Sequence, residues 1–130
     1  QSEFFVARKD APAAIAALEK IAPQINEILW VTEIRAIAAD QLWMSPHYQR
    51  DSIGIHFTWK KVDAVYEMVK IVEATLAPFG YRPHLGKVFS ASPEYFASVM
   101  PKIEDFKELV VEIDPTNKFG NEFTNRLIGR

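Results

Sequence analysis

From Ser52 to Lys60 apolar and polar side chains alternate without a break: Ile53, Ile55, Phe57 and Trp59 on one parity, Ser52, Gly54, His56, Thr58 and Lys60 on the other. Successive residues of a strand point to opposite faces, so this period predicts a half-buried strand. Val62, Val65, Val69, Val72 and Leu76 recur instead at steps of three and four, which predicts an amphipathic helix over about 62–77 that stops before Pro78 and Gly80. The run from Ile28 to Ala38 is rich in β-branched and aromatic residues and apolar on both parities, the signature of a central strand. Ser2 to Ala7 suits a short first strand, and Asp10-Ala11-Pro12 opens a helix whose buried stripe is Ile15, Leu18, Ile21 or Ala22, and Ile25. Residues 39–51, containing Ser45-Pro46-His47, read as a loop. Tyr81 to Phe89 reads as extended and broken by Pro83 and Gly86, helices follow over about 92–99 and 102–112, and Asp114-Pro115 starts an irregular tail. The order strand, helix, strand, strand, helix, strand predicts an α+β, ferredoxin-like antiparallel sheet with its helices on one face, plus C-terminal helices and the tail.

Composition narrows the partners. At 48% hydrophobic and 25% charged, 130 residues make one ordinary globular domain, residues 1–130. Seventeen acids against fifteen interspersed bases set up no field for nucleic acid or anionic lipid, and no apolar run reaches the length of a membrane span. The absence of cysteine removes thiolate chemistry and disulfides; it fits a reducing compartment without establishing one, so a cytoplasmic location is only the default. Three separated histidines with no ligand spacing argue against a metal site. The chain opens on Gln1, without an initiator Met, and enters a strand at once, which reads as a piece of something longer.

The candidate chemistry lies on the two strands in the middle of the sequence. If Ile53, Ile55, Phe57 and Trp59 cover the helices, His56 and Thr58 face away from them. The matching assignment for the preceding strand turns Ile28, Trp30, Ile34 and Ala36 inward, and Glu33 and Arg35 outward with Leu29, Val31 and Ile37. An acid, a guanidinium, an imidazole and a hydroxyl then share one face with aliphatic side chains, a mixture that suits a small polar ligand. Taken alone, Glu33 and Arg35 are more often a same-face ion pair on a wet sheet, His56 a satisfied structural histidine, and Lys87 a snorkelling lysine. His47 and His84 carry weaker cases, and Trp30, Trp43 and Tyr48 read as packing residues.

Five stretches resemble, in order, the C-terminal part of the alditol and xylitol oxidases, relatives of the aldonolactone oxidases in the vanillyl-alcohol-oxidase flavoprotein superfamily. They are Gln1 to Val6, Thr32-Glu33-Ile34-Arg35 with Ala36 to Trp43, Arg50 to Trp59, Arg82 to Val88, and Asp114 to Asn121. The resemblance implies a substrate cap over a flavin, with FAD held mainly by a separate N-terminal domain that would be this chain's natural partner. It further implies hydride transfer from a terminal CH2OH of a polyol to the flavin, with oxygen reduced to hydrogen peroxide. Carried over by position, Glu33, Arg35 and Thr58 bind substrate, His56 and Lys87 are catalytic, and Lys118 and Asn121 approach the cofactor. Two departures stand out: Leu85 replaces the Trp of a His-Trp-Gly-Lys motif, and Asn117 replaces a Gly in the tail, where Asn still tolerates a left-handed backbone. The alternatives are an aldonolactone oxidase or dehydrogenase cap, and a free-standing ferredoxin-like binding module that dimerises through its open sheet face. As a cap alone, the chain is expected to be inactive and to self-associate through that partly apolar face.

Overall fold

The computed structural model describes residues 1–130. Strands β1 (Ser2–Ala7), β2 (Leu29–Ile37), β3 (Ser52–Trp59) and β4 (Arg82–Pro83) form one antiparallel sheet in the order β2-β3-β1-β4. Helices α1 (Ala11–Glu19) and α2 (Ala22–Ile28) link β1 to β2, and α3 (Ala64–Leu76) links β3 to β4. This is the βαββαβ arrangement expected from the periodicity. Three further helices follow: α4 (Pro93–Val99), α5 (Ile103–Ile113) and α6 (Glu122–Ile128). None of the helices is long and apolar enough to cross a membrane.

The core forms where the period-2 face of the sheet meets the helical stripes. Phe4, Val6, Ile55, Phe57 and Trp59 pack against Ala14, Leu18, Ile25, Val65, Val69, Val72 and Leu76. Burying such side chains stabilises by about 1.5–3 kcal/mol each, which is what commits each strand to a single register. Trp59 places its polar edge without cost by donating from Nε1 to the buried Ser2 Oγ at 3.0 Å. A smaller cluster of Phe96, Met100, Ile103 and Leu127 joins α4, α5 and α6.

Several expectations need correction. The 28–38 run is not a central strand: β2 lies at the sheet edge, and Trp30, Val31 and Ile34 are 73%, 50% and 54% exposed. A double-sided apolar pattern shows that both faces avoid water somewhere, but not that this chain covers them. The inward parity assigned to Trp30 fails because the register shifts between Leu29 and Val31, leaving Trp30 as an unpaired bulge and sending Leu29, not Trp30, onto the core. The first helix breaks between Glu19 and Ala22, just ahead of Pro23, which takes the early-turn position of α2. Tyr81 to Phe89 contributes only Arg82–Pro83 to the sheet. The tail is irregular only as far as Asn121, whose side chain accepts from Thr124 N at 3.0 Å in a capping box that starts α6. Asn117 does adopt the left-handed conformation, with φ 55°.

Candidate active site

Strand register brings the site together. Glu3 of β1 and Glu33 of β2 both stand opposite His56 of β3, so the three form one row across adjacent strands on the face away from the helices. One step along, Phe5, Gly54 and Arg35 form the next row. The side chain missing at Gly54 matters here: a Cβ would lie 3.0 Å from Phe5 Cε1 and 3.1 Å from Glu3 Oε1. Arg35 therefore crosses β3 to reach β1, and its Nη1 donates to Glu3 Oε1 at 2.9 Å while Nη2 binds Glu33. Both strand assignments of Glu33, Arg35, His56 and Thr58 to one outer face hold, as does antiparallel pairing.

Lys87 arrives from outside the sheet. After β4 the chain stays bonded to β1, with His84 N donating to Glu3 O and Val88 N to Gln1 O, both at 2.9 Å. This lays Lys87 over the outer face, where Nζ donates to Glu3 Oε2 and sits 3.0 Å from His56 Nδ1. His56 Nδ1 is also 3.4 Å from Glu3 Oε2, and Nε2 is 3.1 Å from Thr58 Oγ1. His56 is 3% and Glu3 4% exposed, whereas Arg35 and Glu33 remain half open. Burial alone would raise the Glu3 carboxyl, but hydrogen bonds from Lys87 and Arg35, the Lys87 charge and His56 outweigh it and hold the group below its usual 4.5. The result is a buried carboxylate that gathers two cations and an imidazole, with Arg35, Glu33, Thr58 and part of Lys87 at its outer rim.

Sequence reasoning therefore gathered five of the residues and missed Glu3. The signal was present: an acid directly before the apolar run Phe4-Phe5-Val6, within the same strand, has to be paired once buried. Ordinary periodicity treats such a residue as the wet side of a strand. The Glu33–Arg35 ion pair also forms, so the commonplace reading of that pair is true and incomplete. Of the remaining candidates, Asn121 spends its side-chain oxygen on the α6 cap, Lys118 is exposed with Nζ 5.7 Å from the Phe119 ring, and no hydrogen bond joins either to the Glu3 cluster. His47 packs edge-on to Phe5 at 4.5 Å. Tyr48 is buried and Trp43 lies under Lys102, both as packing residues, whereas Trp30 is not one. An apolar cavity of about 380 Å³ lies among α4, α5 and α6, lined by Leu85, Phe96, Phe106, Val110 and Phe123. Asp114 at its edge spends both carboxylate oxygens on the amides of Lys118 and Phe119, leaving the cavity no free acid or base.

The stretch of chain that carries these residues is similar to known proteins. Residues 1–127 match the family model described as D-arabinono-1,4-lactone oxidase. The chain is 37% identical over 129 residues to alditol oxidase of Streptomyces sp. (strain IKD472 / FERM P-14339), covering 98% of this chain and 31% of that protein. It is 26% identical over 99 residues to L-gulonolactone oxidase of Mus musculus, covering 73% of this chain and 22% of that protein. The chain thus spans less than a third of the length of these curated relatives. A match that runs through β1, β2, β3 and the Lys87 segment in order takes in every residue of the Glu3 cluster, and the chain belongs to the D-arabinono-1,4-lactone oxidase family.

Proposed function

We propose that this chain is the substrate-side portion of an FAD-linked alditol oxidase, acting on a terminal CH2OH of a polyol such as xylitol or sorbitol and, with oxygen, yielding hydrogen peroxide. The observation that carries the reading is the buried Glu3 carboxylate with Arg35, Lys87 and His56 around it, since this network fixes Arg35, Glu33 and Thr58 at an open rim with the imidazole directly behind Thr58. Vicinal hydroxyls each offer one donor and an oxygen with two acceptor lone pairs. Arg35 can donate to one and Glu33 accept from the next, with the Thr58 hydroxyl free to do either. Fixing a polyol in this way places one carbon and its hydroxyl, and orientation is worth several kcal/mol of barrier.

The face fits a flavin as its opposing wall: a cationic group, Lys87, shares it with exposed apolar side chains such as Val31 on the edge strand. When bound, FAD supplies the hydride acceptor. Lys118 and the amide nitrogen of Asn121 are the groups this chain would turn toward it, and Lys87 would place positive charge where negative charge develops. His56 takes the hydroxyl proton. The natural full-length protein should be yellow, hold FAD through its remaining domain as partner, and reduce oxygen with xylitol. A colourless full-length protein, or one inert to polyols, contradicts the proposal.

A second reading is favoured by the family description and the L-gulonolactone oxidase match: an aldonolactone as substrate. Turnover of xylitol against an aldonolactone in the full-length protein separates the two.

A further inference from the structure

His56 Nδ1 lies between groups with opposite demands. Lys87 Nζ, 3.0 Å away, can only donate; Glu3 Oε2, 3.4 Å away and ionised, can only accept. On the other side of the ring, Nε2 is 3.1 Å from Thr58 Oγ1, which can do either. Two hydrogen-bond patterns are open to the ring, the second only with Lys87 Nζ drawn back from Nδ1, since two donors do not bond at 3.0 Å. In one, Lys87 donates to Nδ1, and Nε2–H donates to Thr58. In the other, Nδ1–H donates to Glu3, and Nε2 accepts from the Thr58 hydroxyl. Lys87 keeps its bond to Glu3 in both. Only the second turns the Nε2 lone pair toward Thr58 and the half-open rim, and Glu3 is what makes it available.

We propose that Glu3 and His56 work as a carboxylate–imidazole dyad, with Thr58 as its outward link, that receives the proton a substrate hydroxyl loses. This deepens the oxidase reading and rests on it. The burial of both dyad partners supports it: at 3% and 4% exposure neither ring nor carboxylate meets bulk water, whereas Thr58 is half-buried. The substrate O–H bond breaks and its proton goes to Thr58 Oγ, as the proton already on Oγ passes to His56 Nε2. The electron pair left on the substrate oxygen becomes the new carbonyl bond as the carbon loses its hydride, for which bound FAD would supply the acceptor. Both imidazole nitrogens then carry protons, and Glu3 lies against Nδ1–H to balance the new charge, much as a buried aspartate serves a catalytic histidine. His56 next releases its proton to solvent by the same route. Glu3 touches no substrate and is a positioning residue.

The charged groups facing His56 are Glu3 from β1, Glu33 and Arg35 from β2, and Lys87 from the segment after β4. Glu3 alone of these is both buried and anionic, so it is the acceptor placed to hold the Nδ1 proton.

The test uses the natural full-length protein with its flavin and the variants Glu3→Gln, Glu3→Asp, Thr58→Val and Thr58→Ser. Glu3→Gln should lower kcat by about 10²–10⁴-fold and move the acidic limb of the kcat/KM profile to lower pH, because the uncharged amide no longer supports a cationic ring. Glu3→Asp should recover part of the rate and return the limb toward its original position. Thr58→Val should cost kcat on the order of 10–100-fold, a larger change than that in KM, and Thr58→Ser should restore it. A Glu3→Gln protein with unaltered kcat and profile overturns the dyad. So does Thr58→Val at wild-type rate, a measurement that still decides if Glu3→Gln fails to fold. Should the wild-type protein oxidise an aldonolactone and not xylitol, the substrate reading fails while these variants, measured with the lactone, still decide the dyad.

Discussion

Arg35 Nη1 and Glu3 Oε1 lie 2.9 Å apart although their strands are not neighbours, because β3 runs between β1 and β2 and presents Gly54 where the guanidinium passes. Strands about 4.8 Å apart put two removed ones near 10 Å, a gap that only a long side chain over an empty position can close.

Gly54→Ala tests this directly. The added methyl would meet Phe5 Cε1 at 3.0 Å and Glu3 Oε1 at 3.1 Å, and neither sits at a freely moving end. Overpacking of this kind costs about 1–3 kcal/mol, and turnover in the full-length protein should fall along with stability. Denaturant midpoints and kcat check both; an unchanged kcat would mean Arg35 does not need that path.

Arg82 ties three separate segments together. It donates from Nε to Val99 O at 2.7 Å and from Nη1 to Pro46 O and Tyr48 O at 3.1 and 3.0 Å, with no carboxylate partner. Arg50 nearby binds Gly80 O and Phe5 O, both at 2.9 Å, and burial followed by the Arg82 charge brings its pKa down to about 10. Arg82→Leu should therefore destabilise by on the order of 2–4 kcal/mol, through carbonyls left without donors, despite relieving the repulsion on Arg50. Chemical denaturation of the variant checks the loss.

Acid stability should have two components. The folded Glu3 pKa lies below its unfolded value, so its contribution is fully present above about pH 4.5 and is lost as pH falls through the folded pKa. Burial, the largest influence, lowers His47 from 6.5; the unfolded chain then binds the proton more readily, and stability declines as pH falls from 6.5 to the folded pKa. His47→Gln should remove the upper decline and Glu3→Gln the lower one. Denaturant midpoints across this pH range resolve them, and coincident curves for wild type and both variants would refute the assignment.

The exposed edge of β2 carries Trp30, Val31 and Ile34. A strand edge with unpaired backbone groups and apolar side chains favours association, so this chain on its own should self-associate, and Ile34→Lys should weaken that. Sedimentation at increasing concentration checks it; a strictly monomeric chain is the contrary result.

Local periodicity was sufficient for β3, for α3 and for the outward facing of Glu33, Arg35, His56 and Thr58, because the strand and helix periods are fixed by backbone geometry and repeat along the chain. Family resemblance rather than period singled out Lys87, whose position depends on bonds from 84 and 88 back to β1. The bulge at Trp30, the edge position of β2 and the hydrogen-bonded place of Glu3 lay beyond the sequence, since each depends on which strand pairs with which and where a neighbour stops. Sequence by itself determined that Glu33, Arg35, His56 and Thr58 share a face. Only the tertiary structure decided that Glu3 is buried among Lys87, Arg35 and His56, because that requires pairing β1 with β3 and laying a distant segment across both.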